Sequence, residues 1–307
     1  MDKTLKRRQR AHSPIFYLFL FPALFSFVMV IIIPFIYGFY FSFTNWNAIT
    51  GTDVLWVGLR NYRALMQDVA FLHSFLITTA YALVNIVVLN VVAFLLALLV
   101  TQKLKAVGLY RAAYFLPNLI GGIILGYVWQ FIFNNAIPTG LGGTLGISWF
   151  ADNLFMANRY LALLSIVIVG TWQYAGYIMM IYVAAIQGIP DSLIEAAEID
   201  GARYPQIVKN IVFPLVAPAF TVSTFLTLVN SFKQFDVNLT LTKGGPSGMF
   251  MDKAIFTTQL LALDIYETAF SYRRLAEGQA KAILFFLILT IVALIQVYFN
   301  KRKEIEM

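Results

Sequence analysis

Along this chain the polar and apolar residues are segregated into long blocks instead of alternating. No Asp, Glu, Lys or Arg falls between Arg10 and Asp53, Asp68 and Lys103, Arg111 and Asp152, Arg159 and Asp191, Lys209 and Lys233, or Lys281 and Lys301. Each stretch holds the roughly 20 apolar residues that a helix needs to cross a hydrocarbon core of about 30 Å. The pattern predicts six spans, near 15–41, 74–101, 112–134, 160–187, 211–233 and 279–299. Between the fourth and fifth lies a polar, charged segment, 188–210. There Ser192 and Glu195 fit a capping box just after Pro190, and Gly201 sits where a helix end favours positive φ. The segment reads as a short helix, a glycine stop and a second helix returning to the membrane, a form suited to passing force from a soluble partner to the spans.

Composition agrees with the pattern. With 60% hydrophobic and 12% charged residues over 307 positions, the chain lies far from the soluble average and reads as an all-α integral membrane protein. Placing the N-terminus inside puts Lys3, Lys6, Arg7, Arg8, Arg10, Lys103, Lys105, Arg111, Arg203, Lys209, Lys301, Arg302 and Lys303 on short inner segments. Those are 13 of the 22 basic residues, so both termini and the 188–210 loop are expected in the cytoplasm. The expected layout is a basic N-terminal tail (1–14), a six-span domain (15–299) and a C-terminal tail (300–307). The first apolar run is too long for a signal-peptide core and reads as an uncleaved span. The net charge of +7 reflects this topology and contact with membrane lipid, not nucleic-acid binding.

The search for chemistry excludes more than it finds. There is no cysteine, and neither His12 nor His73 has a partner arrangement for catalysis, so neither an enzyme nor a metal site is expected. No phosphate-binding glycine loop occurs, so ATP has to be handled on another chain. The spans lack the buried charges of proton relays, which counts against a secondary carrier. They do carry Asn118, Gln130, Trp172, Gln173, Tyr174 and Tyr177, and the fifth ends with Thr227, Asn230, Ser231 and Gln234. Amides and hydroxyls hydrogen-bond hydroxyl-rich solutes while rings stack on their apolar faces. Taken singly, each such residue can equally pin one helix to another.

Two motifs resemble a known family. The run Glu195-Ala196-Ala197, three residues, Gly201, nine residues, Ile211, one residue, Phe213-Pro214 is similar to the cytoplasmic loop of permease subunits of binding-protein-dependent ABC importers, with Phe213 where the family has Leu. LTKGGPSG, residues 241–248, resembles the outer loop of their carbohydrate-importing members, and IPDSLIEAAEIDGA resembles the approach to their coupling helix. The resemblance extends from the first span to the last and is strongest to the maltose-type group.

This resemblance implies a type I ABC importer permease fold: six spans plus a cytoplasmic coupling helix. It implies a second, homologous permease chain, two ATPase subunits that carry ATP and Mg, an external solute-binding protein, and a sugar or oligosaccharide as cargo, all in the plasma (inner) membrane. Glu195, Ala196, Ala197, Asp200, Gly201 and Pro214 would couple to the ATPase. Asn118, Gly122, Gln173, Tyr174, Tyr177, Thr227, Ser231 and Gln234 fall at the family's sugar-contacting positions, and Gly244, Gly245 and Pro246 at the binding-protein loop. Asn118, Gln173 and Tyr174 differ in type from the maltose residues, which argues for another hydroxylated ligand. A non-sugar permease of the same family is the nearest alternative, with a secondary carrier and a membrane scaffold behind it.

Overall fold

The computed structural model describes residues 14–47, 53–102 and 105–301. Apart from Pro14, Asn300 and Lys301, the two expected tails lie outside the described residues, as does Lys103. Four helices are long and apolar enough to cross a membrane: α1 (Phe16–Phe41), α3 (Val69–Val100), α7 (Arg159–Gln187) and the last helix, α12, over Leu275–Tyr298. Two further segments reach that length only as bent pairs. One joins Val107–Leu119, which contains α4 (Val107–Phe115), to Gly122–Thr144, which contains α5 (Gly122–Phe131), at 97°. The other joins α9 (Tyr204–Leu215) to α10 (Ala217–Phe232) at 69°. Each pair counted as one span gives six.

The four straight spans lie within a few residues of expectation. Spans 112–134 and 211–233 do not run straight, and the reasons are local. Leu116–Leu119 tightens into a 3₁₀ turn containing Pro117, and Ile120 and Gly121 are extended at ψ 127° and 134° before Gly122 restarts the helix. In the second break Pro218 cannot donate to the carbonyl of Pro214 and its ring crowds the preceding turn, so the chain turns at Val216. A second departure from a purely helical chain is a small hairpin, Ser247–Phe250 (β1) with Lys253–Phe256 (β2), paired antiparallel. Smaller helices are α2 (Arg60–Met66), α6 (Ser148–Asp152), α8 (Asp191–Ile199) and α11 (Leu261–Tyr266).

The chain forms two compact units, Gln67–Glu267 with Leu284–Met307, and Met1–Met66 with Thr268–Ile283. In the larger unit, α3, α7 and α10 form the core. Leu89, Ala93, Ala97 and Val100 of α3 recur at three- and four-residue spacing against Ala175, Ile178, Met179, Tyr182 and Val183 of α7. The alanines let the two backbones come close, which is how helices gain packing where lipid removes the hydrophobic drive. Polar side chains fasten the same contact. Asn85 donates to Ser231 at 2.8 Å, the Tyr182 hydroxyl donates to Asn90 at 2.7 Å, and it also pairs with Ser223 at 2.5 Å.

The smaller unit holds α1, apolar on every side, and an aromatic cap beyond it. Phe43 stacks on Trp56 at 5.2 Å, and the Asn61 amide donates to the carbonyls of Ser42 and Thr44 at 2.8 Å each.

Gly176 shows how tightly the broken span is packed. A side chain there would overlap the Tyr114 carbonyl and reach within 2.8 Å of the Phe115 nitrogen, whereas one at Gly108 of α4 would meet nothing within 4 Å. Gly176→Ala is therefore expected to destabilise the solubilised protein by about 1–3 kcal/mol. Gly108→Ala is expected to leave it unchanged or slightly more stable. Thermal melting of the two variants side by side checks this, and equal melting would show that α4 yields freely.

Candidate functional site

Two regions carry the functional geometry. The first is the polar loop. Helix α8 begins at Asp191, with Pro190 in the N-cap position (φ −59°, ψ 129°) and no side-chain cap. The Ser192–Glu195 capping box therefore does not form, because the helix starts before the position at which Ser192 would cap it. Asp191 instead puts a carboxylate in the first turn, where the helix dipole favours it. The C-terminal end is as expected. Gly201 has φ +81°, its N–H bonds the Glu198 carbonyl at 3.0 Å, and the Ala202 N–H reaches back to Ala197 at 2.9 Å. This is the Schellman arrangement, and only glycine enters it without strain. The next helix opens with Gln206 Oε1 accepting from the Arg203 N–H at 2.6 Å.

Glu195, Ala196, Asp200 and Gly201 are exposed, Ala197 and Pro214 half-buried. Ala197 and Ile194 lean on the α3–α7 core, while Ile199 is 86% exposed and Leu193 44%. The open side of this short helix therefore mixes acidic side chains, Asp191, Glu195 and Glu198, with uncovered Leu193 and Ile199.

The second region is a cavity of about 130 Å³ where α5, α7 and the end of α10 meet. It brings together four of the eight predicted solute contacts, Gly122, Gln173, Tyr174 and Gln234. Gln173 Nε2 donates to the Ile120 carbonyl at 3.2 Å, satisfying a group that the helix break would otherwise orphan. Gln234 is buried and its Nε2 has no hydrogen-bond partner. The cavity adds five residues outside the eight predicted contacts: Asn230, Lys233, Phe235, Asp236 and Val237. Asn230 already stood among the amides that end the fifth span; the other four gave no such signal, because Lys233 to Val237 lie beyond α10, past a break in helical geometry.

The other four predicted contacts lie elsewhere. Thr227 and Ser231 are buried in the α3–α10 contact, where Asn90 reaches Thr227 at 3.4 Å and Asn85 reaches Ser231 at 2.8 Å. Asn118 sits half-buried in the 3₁₀ turn outside the cavity. Tyr177, one turn along α7, lines a separate open groove of about 680 Å³ with Arg111, Phe115 and Ile181. Among the described residues no three His, Asp or Glu side chains stand together as metal ligands.

The LTKGGP loop is tightly held. Lys243 and Gly244 have φ of +51° and +78°, and Thr258 donates from its hydroxyl to Gly245 and from its N–H to Gly244 at 2.5 and 2.8 Å. Gly244 is buried against Gln259 and Phe256, Gly245 and Pro246 are half-buried, and Lys243, Met249 and Met251 are the exposed neighbours. Gln259 in turn donates to Glu267 at 2.6 Å.

With this geometry in hand, residues 106–305 match the family described as binding-protein-dependent transport system inner membrane component. The chain belongs to this family. Among relatives of this permease, the probable starch degradation products transport system permease protein AmyD of Thermoanaerobacterium thermosulfurigenes is 47% identical over 292 residues, covering 95% of this chain and 96% of the relative. The multiple sugar-binding transport system permease protein MsmF of Streptococcus mutans is 28% identical, covering 89% and 90%. The sn-glycerol-3-phosphate transport system permease protein UgpA of Agrobacterium fabrum is 32% identical, covering 82% and 83%. The fold is that of a solved bacterial ABC transporter involved in alginate import, with a TM-score of 0.77, 19% identity, and 98% and 99% of the two chains covered.

Two predictions follow from the geometry. Ser231→Ala removes the acceptor of the Asn85 amide and is expected to cost about 0.5–1.5 kcal/mol of stability while leaving the concentration dependence of transport unchanged. A raised KM with unchanged melting would return Ser231 to the solute site. Glu267 has its carboxyl held above the usual carboxylate range, first by burial and then by the charge of Asp264. The folded state therefore holds the proton more tightly than the unfolded chain, so stability falls as pH rises from the ordinary carboxylate range through the raised value. Melting followed from acid to neutral pH should show this slope, and Glu267→Gln should flatten it.

Proposed function

We propose that this permease is the membrane-spanning subunit of an ATP-driven, binding-protein-dependent sugar importer, forming half of the translocation pathway. The observation that carries the reading is α8 with its Gly201 turn, an exposed helix fixed between two spans with Leu193 and Ile199 uncovered. That surface fits a cleft on an ATPase subunit, which supplies ATP and Mg. Glu195, Ala196, Ala197, Asp200 and Gly201 form the contact, and Pro214 sets the return into the membrane. Both termini and the 188–210 loop then face the cytoplasm. The outer loop shaped by Gly244, Gly245 and Pro246 then faces the solute-binding protein.

Sugar as the cargo is supported by a cavity of amides, a phenol, an ammonium and a carboxylate, and by relatives named for starch degradation products and multiple sugars. The cavity is small beside the roughly 300–1,000 Å³ of complete ligand sites, which supports a site shared with a second, homologous permease chain. A relative named for sn-glycerol-3-phosphate makes the charge of the cargo the sharpest open choice.

The test is purification in gentle detergent with identification of co-purifying chains, then ATP-dependent uptake after reconstitution. Gly201→Val forces a β-branched side chain into φ +81°, at a cost of about 1–2 kcal/mol localised in the turn. Uptake and solute-stimulated ATP hydrolysis are expected to separate in this variant, with uptake down about tenfold or more and the melting of the spans preserved. Wild-type uptake by Gly201→Val would sink the coupling assignment.

A further inference from the structure

Helix α5 begins inside the broken third span, so its first N–H groups open onto the break instead of onto a preceding helical turn. Gly121 holds the N-cap position at φ −59° and ψ 134° and supplies no side chain to cap it. A half-helix that starts in this way carries about half a positive charge at its end and is a ready-made seat for an anion. In this chain a carboxylate already stands beside that end. A Cβ built on Gly122 would stand 2.7 Å from the Asp236 Cβ and 3.0 Å from its Oδ2, so the Asp236 side chain packs against the first turn, although it accepts no hydrogen bond from that turn's N–H groups. Asp236 has no ion-pair partner among the described residues. Beside it, in the same cavity, the Gln234 amide is 7% exposed and its Nε2 is unpaired.

A carboxylate next to an unused amide donor suits uncharged hydroxyl groups, which can donate to one and accept from the other. A cargo with its own carboxylate or phosphate would meet Asp236 at the position the helix end would otherwise offer it. Lys233 and Asp236 both line the cavity and both are exposed, but it is Asp236 that lies against Gly122 at the start of α5; the Lys233 ammonium, on a flexible and strongly hydrated stem, offsets this repulsion less than a buried guanidinium would. No arginine lines the cavity.

We propose that Asp236 makes this cavity select uncharged over anionic solutes, by placing its own carboxylate where the N-terminus of α5 would otherwise receive an anion. The inference rests on the cavity being the solute site. It names Asp236 as a specificity-determining residue of that site and an uncharged saccharide as its cargo.

The experiment uses the purified importer complex with the binding protein omitted, so that the membrane site alone is read. Equilibrium binding is measured for two probes, maltotetraose and the same oligosaccharide oxidised at its reducing end to an aldonate. Wild type is expected to prefer maltotetraose by on the order of tenfold or more, the size of effect expected for one partly screened like charge at close range. Asp236→Asn loses an acceptor and weakens maltotetraose a few-fold, but binds the aldonate more tightly, so the ratio narrows by about tenfold. A measurement on wild type alone covers the case in which the variant does not assemble. Aldonate binding should strengthen with added salt as the repulsion is screened, while maltotetraose binding stays flat. An unchanged ratio in Asp236→Asn, or salt-independent aldonate binding to wild type, overturns the proposal and leaves Asp236 as a packing neighbour of Gly122 only. If wild type binds neither probe yet still imports sugar, the cavity is not the solute site, and that reading fails together with this one.

Discussion

Backbone broken inside an apolar layer must find partners for every group it releases, and the larger unit is arranged around that requirement. The chain from Leu116 to Gly121 leaves helical geometry at the 97° bend. The Gln173 amide takes up the Ile120 carbonyl, and Gly176, one turn further along α7, lets the Tyr114–Phe115 backbone lie directly against that helix. On the far side of the break, Gly122 and Gly126 are spaced to meet Asp236 and Thr240, again with no room for a side chain. Three glycines and one glutamine therefore hold the break open as a defined shape. The cavity is the space that shape encloses, so Gly122 and Gln173, which hold the break together, also line it.

The polar contacts among α3, α7 and α10 have a different character. Each interhelical hydrogen bond in a membrane protein contributes modestly, on average about 0.6 kcal/mol where it has been dissected. Their value here lies in register. Tyr182 can bond Asn90 and Ser223 together only when three helices meet at one height, and Asn85 with Ser231 repeats the condition further along α3. That core stays fixed while the surfaces differ: one side presents α8 with its uncovered isoleucine, another the cavity with its unpaired amide.

Much of this was legible in the residues. Charge-free blocks located the spans because a single lysine or aspartate in lipid is costly enough to mark their ends. The 188–210 loop was legible because its polar residues stand between two such blocks, and Gly201 announced a positive φ that the chain adopts. The bends were hidden because apolar residues fill both limbs. Hydropathy averages over them, and only Pro117, the Gly121–Gly122 pair and Pro218 hinted at a break. Thr227 and Ser231 show a harder limit. A hydroxyl facing a solute and a hydroxyl facing a neighbouring helix are the same residue in a sequence, and here Asn85 and Asn90 claim them. Asp236 was passed over for the converse reason. A charge just beyond a span reads as an ordinary interfacial residue until the bend brings the start of α5 beneath it.

The geometry also constrains how movement at the loop can reach the cavity. Gln173 and Tyr174 lie on the same unbroken helix that ends at Gln187, three residues before α8 begins beyond Pro190. The fourteen helical residues from Tyr174 to Gln187 make a rod of about 20 Å. A displacement of α8 therefore arrives at the cavity with little loss along this side. The other side of α8 leads through Ala202 into α9 and reaches Asn230, Lys233 and Gln234 only after the 69° bend at Val216. A straight arm and a bent arm driven from one short helix cannot move their ends equally. Their difference appears where α7 and α10 face each other, between Gln173 and Gln234. A cavity lined from both arms changes shape when the loop is pushed, whereas one lined by either arm alone would be carried along unchanged.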